Sequence, residues 1–247
     1  MLRAHFYKLL HSPLFYIGLL ASAALSFYSM NGTHDGGSVF NNVDILIGLQ
    51  NYRKMFVLFA AIPFASNFAD EWNSKVITNC ITRKDTDDYA VSNVVMCYFS
   101  AFAAVFVGMM IYVLILSLQM PLYDDNSFFP PYGGLLEGGA PMLAITIVVF
   151  VYASSCGMWA VMGLTASAFF PSKYVAFCAP FVFCYIIERF TEIFPEEFQL
   201  GPLSKSWSGW KPLPAFLKSV IVILSISSMC GIIFTIKVKR RIGNELS

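Results

Sequence analysis

Six stretches of this sequence hold apolar residues in runs close to the length of a bilayer crossing, and that feature limits the fold more than any other. A membrane-spanning helix needs ~20 mostly apolar residues. The runs fall at 14–30, 50–69, 91–119, 141–168, 172–188 and 215–236. A soluble domain breaks up its apolar residues with polar ones, and about a quarter of its residues are charged. Here 13% of the chain is charged, 57% is hydrophobic and the mean hydropathy is +0.65. The sequence therefore predicts an all-α integral membrane protein, with six transmembrane helices in a single domain over 1–247.

The first eleven residues mix Arg3, His5, Lys8 and His11 with apolar neighbours, which predicts a short interfacial helix ahead of Pro13. The run after it could serve as a signal peptide, with Ala21-Ser22-Ala23 resembling a cleavage site, but the many later spans favour a retained helix. The second run is short in its apolar core, Met55–Ala69, contains Pro63, and is extended outward by Val43–Gln50. Residues 189–214 are polar yet hold Phe194, Phe198, Trp207 and Trp210, residue types that favour the membrane–water boundary. This segment reads as external, with a re-entrant dip left open. Lys and Arg near helix ends set orientation. With the N-terminus inside, ten of the sixteen lie inside: Arg3, Lys8, Lys75, Arg83, Lys84, Lys173, Lys237, Lys239, Arg240 and Arg241. Both termini are therefore expected in the cytoplasm.

Chemistry is sparse. Five of the six cysteines lie in apolar runs, the sixth is Cys80, and no CxxC occurs, so they read as small buried hydrophobes. His5, His11 and His34 all fall outside the spans, which removes a rhomboid-like protease. Glu196-Glu197 lacks the Arg that a CAAX-type protease needs, and no phosphate-binding loop is present. Ion-coupled transporters keep carboxylates in mid-membrane, where these spans are nearly free of charge. Arg53 and Lys54 at the outer end of the second span, and Glu188 and Arg189 at the end of the fifth, read as boundary anchors that snorkel. The chain thus reads as a non-enzyme without catalytic, metal or cofactor residues, and its net charge of +1 gives no reason to expect nucleic acid. Uphill transport would need energy from a partner.

A partner needs a handle, and the densely charged connection 70–90 is the best candidate. Phe68–Val94 opens with an acidic cluster, continues with Val76, Ile77 and Cys80 at helical spacing, and becomes charged through Arg83–Asp88. Phe68, Glu71, Trp72, Ile77, Thr78, Arg83, Tyr89 and Ser92 stand in a pattern that resembles the ABC-2 type permeases, the membrane subunits of bacterial ABC transporters. There the second span ends in Phe-x-x-Glu, an amphipathic coupling helix and an Arg-containing turn follow, and a Tyr-x-x-Ser-Lys element enters the third span. Lys75 stands where that family often has Gly, Asp87-Asp88 where it is usually basic, and Asn93 where it has Lys.

The resemblance implies a subunit of the bacterial plasma membrane that pairs with a second permease copy or a homologue. It also implies two cytoplasmic ABC ATPase subunits that carry the ATP and Mg. Docking on the ATPase would then fall to Glu71, Trp72, Lys75, Ile77, Arg83, Lys84, Asp85 and Tyr89. Independently, the middle span of each half carries a proline, Ile62-Pro63-Phe64 and Ala179-Pro180-Phe181, and matched interrupted segments point to a substrate path. Its expected lining is Phe59, Pro63, Phe64, Asn67, Phe177, Pro180 and Phe181, apolar enough for an amphipathic, peptidic or lipidic substrate among surrounding membrane lipid. Two rivals stay open: a membrane scaffold, sensor or immunity subunit that recruits an ATPase without transporting, and a membrane enzyme built on Asn67, Ser154, Ser155 and Thr165.

Overall fold

The computed structural model describes residues 2–30, 37–48, 50–77, 86–124, 135–136, 138–195, 199–201 and 212–246, and among them every regular element is a helix. In chain order these are α1 (Leu2–Leu10), α2 (Pro13–Met30), α3 (Val39–Gly48), α4 (Gln50–Ala61), α5 (Asn67–Asn73), α6 (Thr86–Ser117), α7 (Pro141–Phe169), α8 (Lys173–Thr191) and α9 (Pro212–Leu246). Proline opens α2, α7 and α9, where its fixed φ suits a first turn and its missing N–H is no loss.

Four helices, α6 to α9, are long and apolar enough to cross a membrane, and α1 with α2, meeting at 61°, would make a fifth bent span. Helix α7 lies at the centre, packed against α6, α8, α9 and α4. Its apolar stretch is 78% buried, against 22% in α8 and 28% in α9, so those two form an outer wall with apolar faces turned outward. In α1, His5 and Leu9 are buried while Leu2, Phe6, Tyr7 and Leu10 are exposed, so most of its apolar side chains face away from the bundle.

Hydroxyls in the apolar helices bond the backbone one turn back, as Ser22 does to Gly18 O (2.8 Å) and Ser227 to Ile223 O (2.7 Å). Such bonds let polar side chains sit in an apolar stretch without an orphaned donor.

The helices depart from the apolar runs at two places. The run 50–69 is not one helix. It is divided among α4, a turn over 62–66 and α5, with α3 as a separate helix before it. Pro63 has no N–H to continue the α4 ladder, and Ile62 N instead reaches only to Phe59 O (3.2 Å). The last helix does not stop near 236. It runs ten residues further into the basic tail because Val238 and Ile242 are buried on the face that Phe234 begins. The part of 189–214 in which a re-entrant dip was left open, 196–198 and 202–211, lies outside the described residues.

Candidate functional site

The short helix α5, NFADEWN, is tied to several neighbouring elements by polar and ring contacts. It follows the Pro63 turn, and Phe68 and Ala69 pin it with no exposed surface. Its amphipathic pattern puts Asn67 and Glu71, one turn apart, on the face toward α1 and α6. Lys8 donates to Asn67 Oδ1 (2.6 Å) and pairs with Glu71 Oε1 (2.9 Å), while the Tyr89 hydroxyl donates to Glu71 Oε2 (2.6 Å). Asn67 donates to Asn93 Oδ1 (2.8 Å), and Asn93 donates on to Tyr89 O (3.1 Å). Both oxygens of a carboxylate only 10% exposed are thus satisfied, which is the condition for keeping such a charge buried.

The other side of α5 holds the rest of that end of the bundle. Asp70 pairs with Lys173 (2.7 Å), and Asn73 donates to Pro171 O (3.2 Å), which ties α5 to the α7–α8 turn. Phe68 meets Phe234 edge-on (5.3 Å), and the Arg241 guanidinium lies over Trp72 (5.3 Å) while donating to Phe169 O (2.6 Å). Asp87 at the start of α6 pairs with Lys239 (2.6 Å). Five elements, α1, α6, α7, α8 and α9, are thereby joined at α5 or beside it.

The His5 ring is buried against Phe64 (5.7 Å, edge-on) and near Tyr89 (6.3 Å). Burial lowers its pKa below 6.5, Glu71 works against that shift, and Lys8 adds to it. Its Nε2 has no hydrogen-bond partner. After α5, Lys75 holds φ at 57°, the left-handed region that suits glycine, with its N–H on Trp72 O (3.1 Å). That geometry gives a physical reason for a glycine at this position.

Of the residues expected to dock a motor, Glu71, Trp72 and Tyr89 meet in this assembly, Ile77 is buried at its edge, and Lys75 is exposed. Arg83, Lys84 and Asp85 lie outside the described residues. Sequence reasoning missed His5, Lys8, Asp70, Asn93, Lys173 and Arg241. The one signal for the first two was their i, i+3 spacing on α1.

The expected path residues do not share one surface. Pro63 is buried against Gly18 of α2, where a Cβ would come within 3.1 Å of its ring. Pro180 is buried against Gly163 of α7, where a Cβ would clash at 2.3 Å. Each proline thus sits in a notch that a glycine leaves on the neighbouring helix. Phe64 is buried under His5, Asn67 belongs to the α5 cluster, Phe59 and Phe177 are half-buried, and Phe181 faces outward. Ser155 and Thr165 bond carbonyls of their own helix, with Thr165 also reaching Cys230 O (3.2 Å), so they do not converge on Asn67. Cys97, Cys156, Cys184 and Cys230 are buried free thiols, whereas Cys178 is exposed.

A second polar cluster lies at the far end of α4, and it corrects the reading of three boundary charges. Arg53 pairs with Glu188 of α8 (2.6 Å) and donates to Gly201 O (2.9 Å). Lys54 approaches the same carboxylate oxygen (4.0 Å) and lies over the Tyr185 ring (4.2 Å). The Tyr152 hydroxyl of α7 donates to Arg53 O (2.8 Å). These three charged side chains are 9–12% exposed and face one another instead of snorkelling outward. An opposite charge within reach on the adjacent helix makes pairing possible where a lone charge would extend to water. Arg189 is exposed and pairs with Glu192 three residues on.

No protein-family model, no curated protein and no solved structure matches this chain.

Proposed function

We propose that this chain is the permease subunit of an ABC transporter of the ABC-2 type. It would export an amphipathic, peptidic or lipidic substrate with ATP hydrolysed, with Mg, on separate cytoplasmic ATPase subunits. The observation that carries this reading is the clamping of α5. A seven-residue helix in the connection that would face a motor is bonded to α1, α6, the α7–α8 turn and α9. A helix held on so many sides moves its neighbours when pushed, whereas a helix on a slack loop does not.

In this reading the membrane holds six spans, with α4, the Pro63 turn and the start of α5 forming a broken second one and α1 lying in the inner interface. Both termini are in the bacterial cytoplasm, where Lys8, Lys173, Lys239 and Arg241 surround α5. Closure of the ATPases pushes the Glu71–Asp88 element. The Pro63 turn lets α5 move against α4, and α4 carries α8 with it through Arg53 and Glu188. The outward apolar faces of α8 and α9 leave room for lipid and for a second permease copy or a homologue.

The test is copurification and transport. Wild-type protein expressed with its ATPase should copurify with it, and Glu71→Gln should keep insertion and copurification while losing most transport. If Glu71→Gln transports as wild type does, α5 is not the coupling element. An ATPase that binds without any substrate movement would favour the scaffold or sensor reading.

A further inference from the structure

A groove of about 330 Å³ runs between α6 and α9, lined by Val91, Val94 and Val95 on one side and Gly231, Ile232, Thr235 and Ile236 on the other. Ser228 also lines it. Its walls are almost wholly apolar, since the Thr235 hydroxyl is spent on Gly231 O (2.9 Å) and its methyl is left to the groove. Gly231 keeps the floor open, because a Cβ there would come within 3.0 Å of Val94. Val95 and Ile232 at the rim are 45% and 61% exposed, so the groove opens sideways on the outer wall of the bundle, where a bilayer would lie.

Charge at one end of the groove identifies an occupant. On α9 the lining positions 228, 231, 232, 235 and 236 follow one helical face, and the next positions on that face are Lys239 and Arg240. They stand one turn, about 5.4 Å, beyond Thr235 and Ile236. Lys239 is paired with Asp87, and Asp88 stands beside that pair on α6. Arg240 is exposed and has no carboxylate partner among the described residues. An apolar slot with an exposed arginine one turn beyond it on the same helix face matches the two halves of a lipid: an acyl chain fits the slot, and a phosphate takes the donors of Arg240 with Lys239 at its flank.

We propose that this groove is a binding site for one anionic bilayer phospholipid, with its chain between α6 and α9 and its phosphate on Arg240. Held there, the lipid would bridge the start of α6 to the basic end of α9 alongside the Asp87–Lys239 pair. The site is separate from the Arg53 cluster, adjoins the α5 end only at the Asp87–Lys239 pair, and does not depend on the transport reading.

The experiment is native mass spectrometry of the full-length protein released from nanodiscs of equal phosphatidylglycerol and phosphatidylcholine. Wild type should retain one phosphatidylglycerol in clear preference to phosphatidylcholine. Arg240→Gln should lower that preference about fivefold, the effect of one basic residue near an anionic surface. Val95→Trp fills the groove from its exposed rim, so it should abolish retention of either lipid while the thermal midpoint stays near that of wild type. Equal retention of the two lipids by wild type would overturn the site, as would unchanged retention in Val95→Trp. A dimer present in wild type and lost in Val95→Trp would assign the groove to a second copy of the chain, and the proposal would fall.

Discussion

The two polar clusters at opposite ends of the α4–α5 segment solve the problem of charge in an apolar bundle differently. At α5 the Glu71 carboxylate is shared between Tyr89 and a Lys8 side chain that is 54% exposed, and further ion pairs, hydrogen bonds and ring contacts surround it. At the far end a single carboxylate, Glu188, holds Arg53 and more distantly Lys54, all three side chains about 90% buried, and joins α4 to α8. The first arrangement spreads load over several modest contacts. The second concentrates it on one buried carboxylate, which is costly to remove alone.

The comparison predicts an order of effects. Glu188→Ala, which strands Arg53 and Lys54, should cost about 3–5 kcal/mol of stability. Replacing all three partners together, Arg53→Met and Lys54→Met with Glu188→Leu, should recover most of it, as read by thermal denaturation in detergent. If the triple variant is as unstable as Glu188→Ala, burial of a lone charge is not what matters there. Tyr89→Phe should cost about 1.5–3 kcal/mol, because it removes a hydrogen bond to a buried carboxylate. Lys8→Ala should cost about 1 kcal/mol or less, since that ammonium is half in water. A larger loss for Lys8→Ala than for Tyr89→Phe would contradict the picture of shared load.

Smaller effects refine the α5 end. Lys75→Gly should stabilise by about 1 kcal/mol, since the native φ of 57° strains any residue with a Cβ, and Lys75→Val should destabilise. His5 adds a pH dependence whose sign follows from its lowered pKa. The unfolded chain takes up the proton first, so the contribution is intact above the unfolded value of about 6.5 and is lost as pH falls toward the folded one. The thermal midpoint should therefore drop on acidification from pH 7 to 5, and less so in His5→Phe.

Much of the helical layout was legible because bilayer-length apolar runs leave little choice of secondary structure. The runs read at 14–30, 141–168 and 172–188 differ from α2, α7 and α8 by a few residues at their ends. Pro63 and Pro180 both marked their runs as interrupted, but Pro63 ends a helix whereas Pro180 sits inside the continuous α8, a difference that hydropathy does not show. The length of α9 was hidden by its basic tail, in which Val238 and Ile242 alone mark the packed face. In the sites, Glu71 and Tyr89 stood out by local pattern. Their partners did not, since Lys8 lies 63 residues from Glu71 and Arg53 lies 135 from Glu188. Snorkelling is the sound expectation for a lone boundary charge, and only the neighbouring helix shows that these charges are not alone.

The central claim is that the α5 end of the bundle meets a cytoplasmic ATPase. A photo-crosslinking residue at Val76, exposed just after α5, tests it directly in intact cells, with Leu118 at the opposite end of α6 as the control. The account predicts an adduct from position 76 to a protein that carries an ATP-binding phosphate loop, and none from position 118. An ATPase adduct from position 118 instead, or none from position 76 while the protein is inserted and stable, would contradict it.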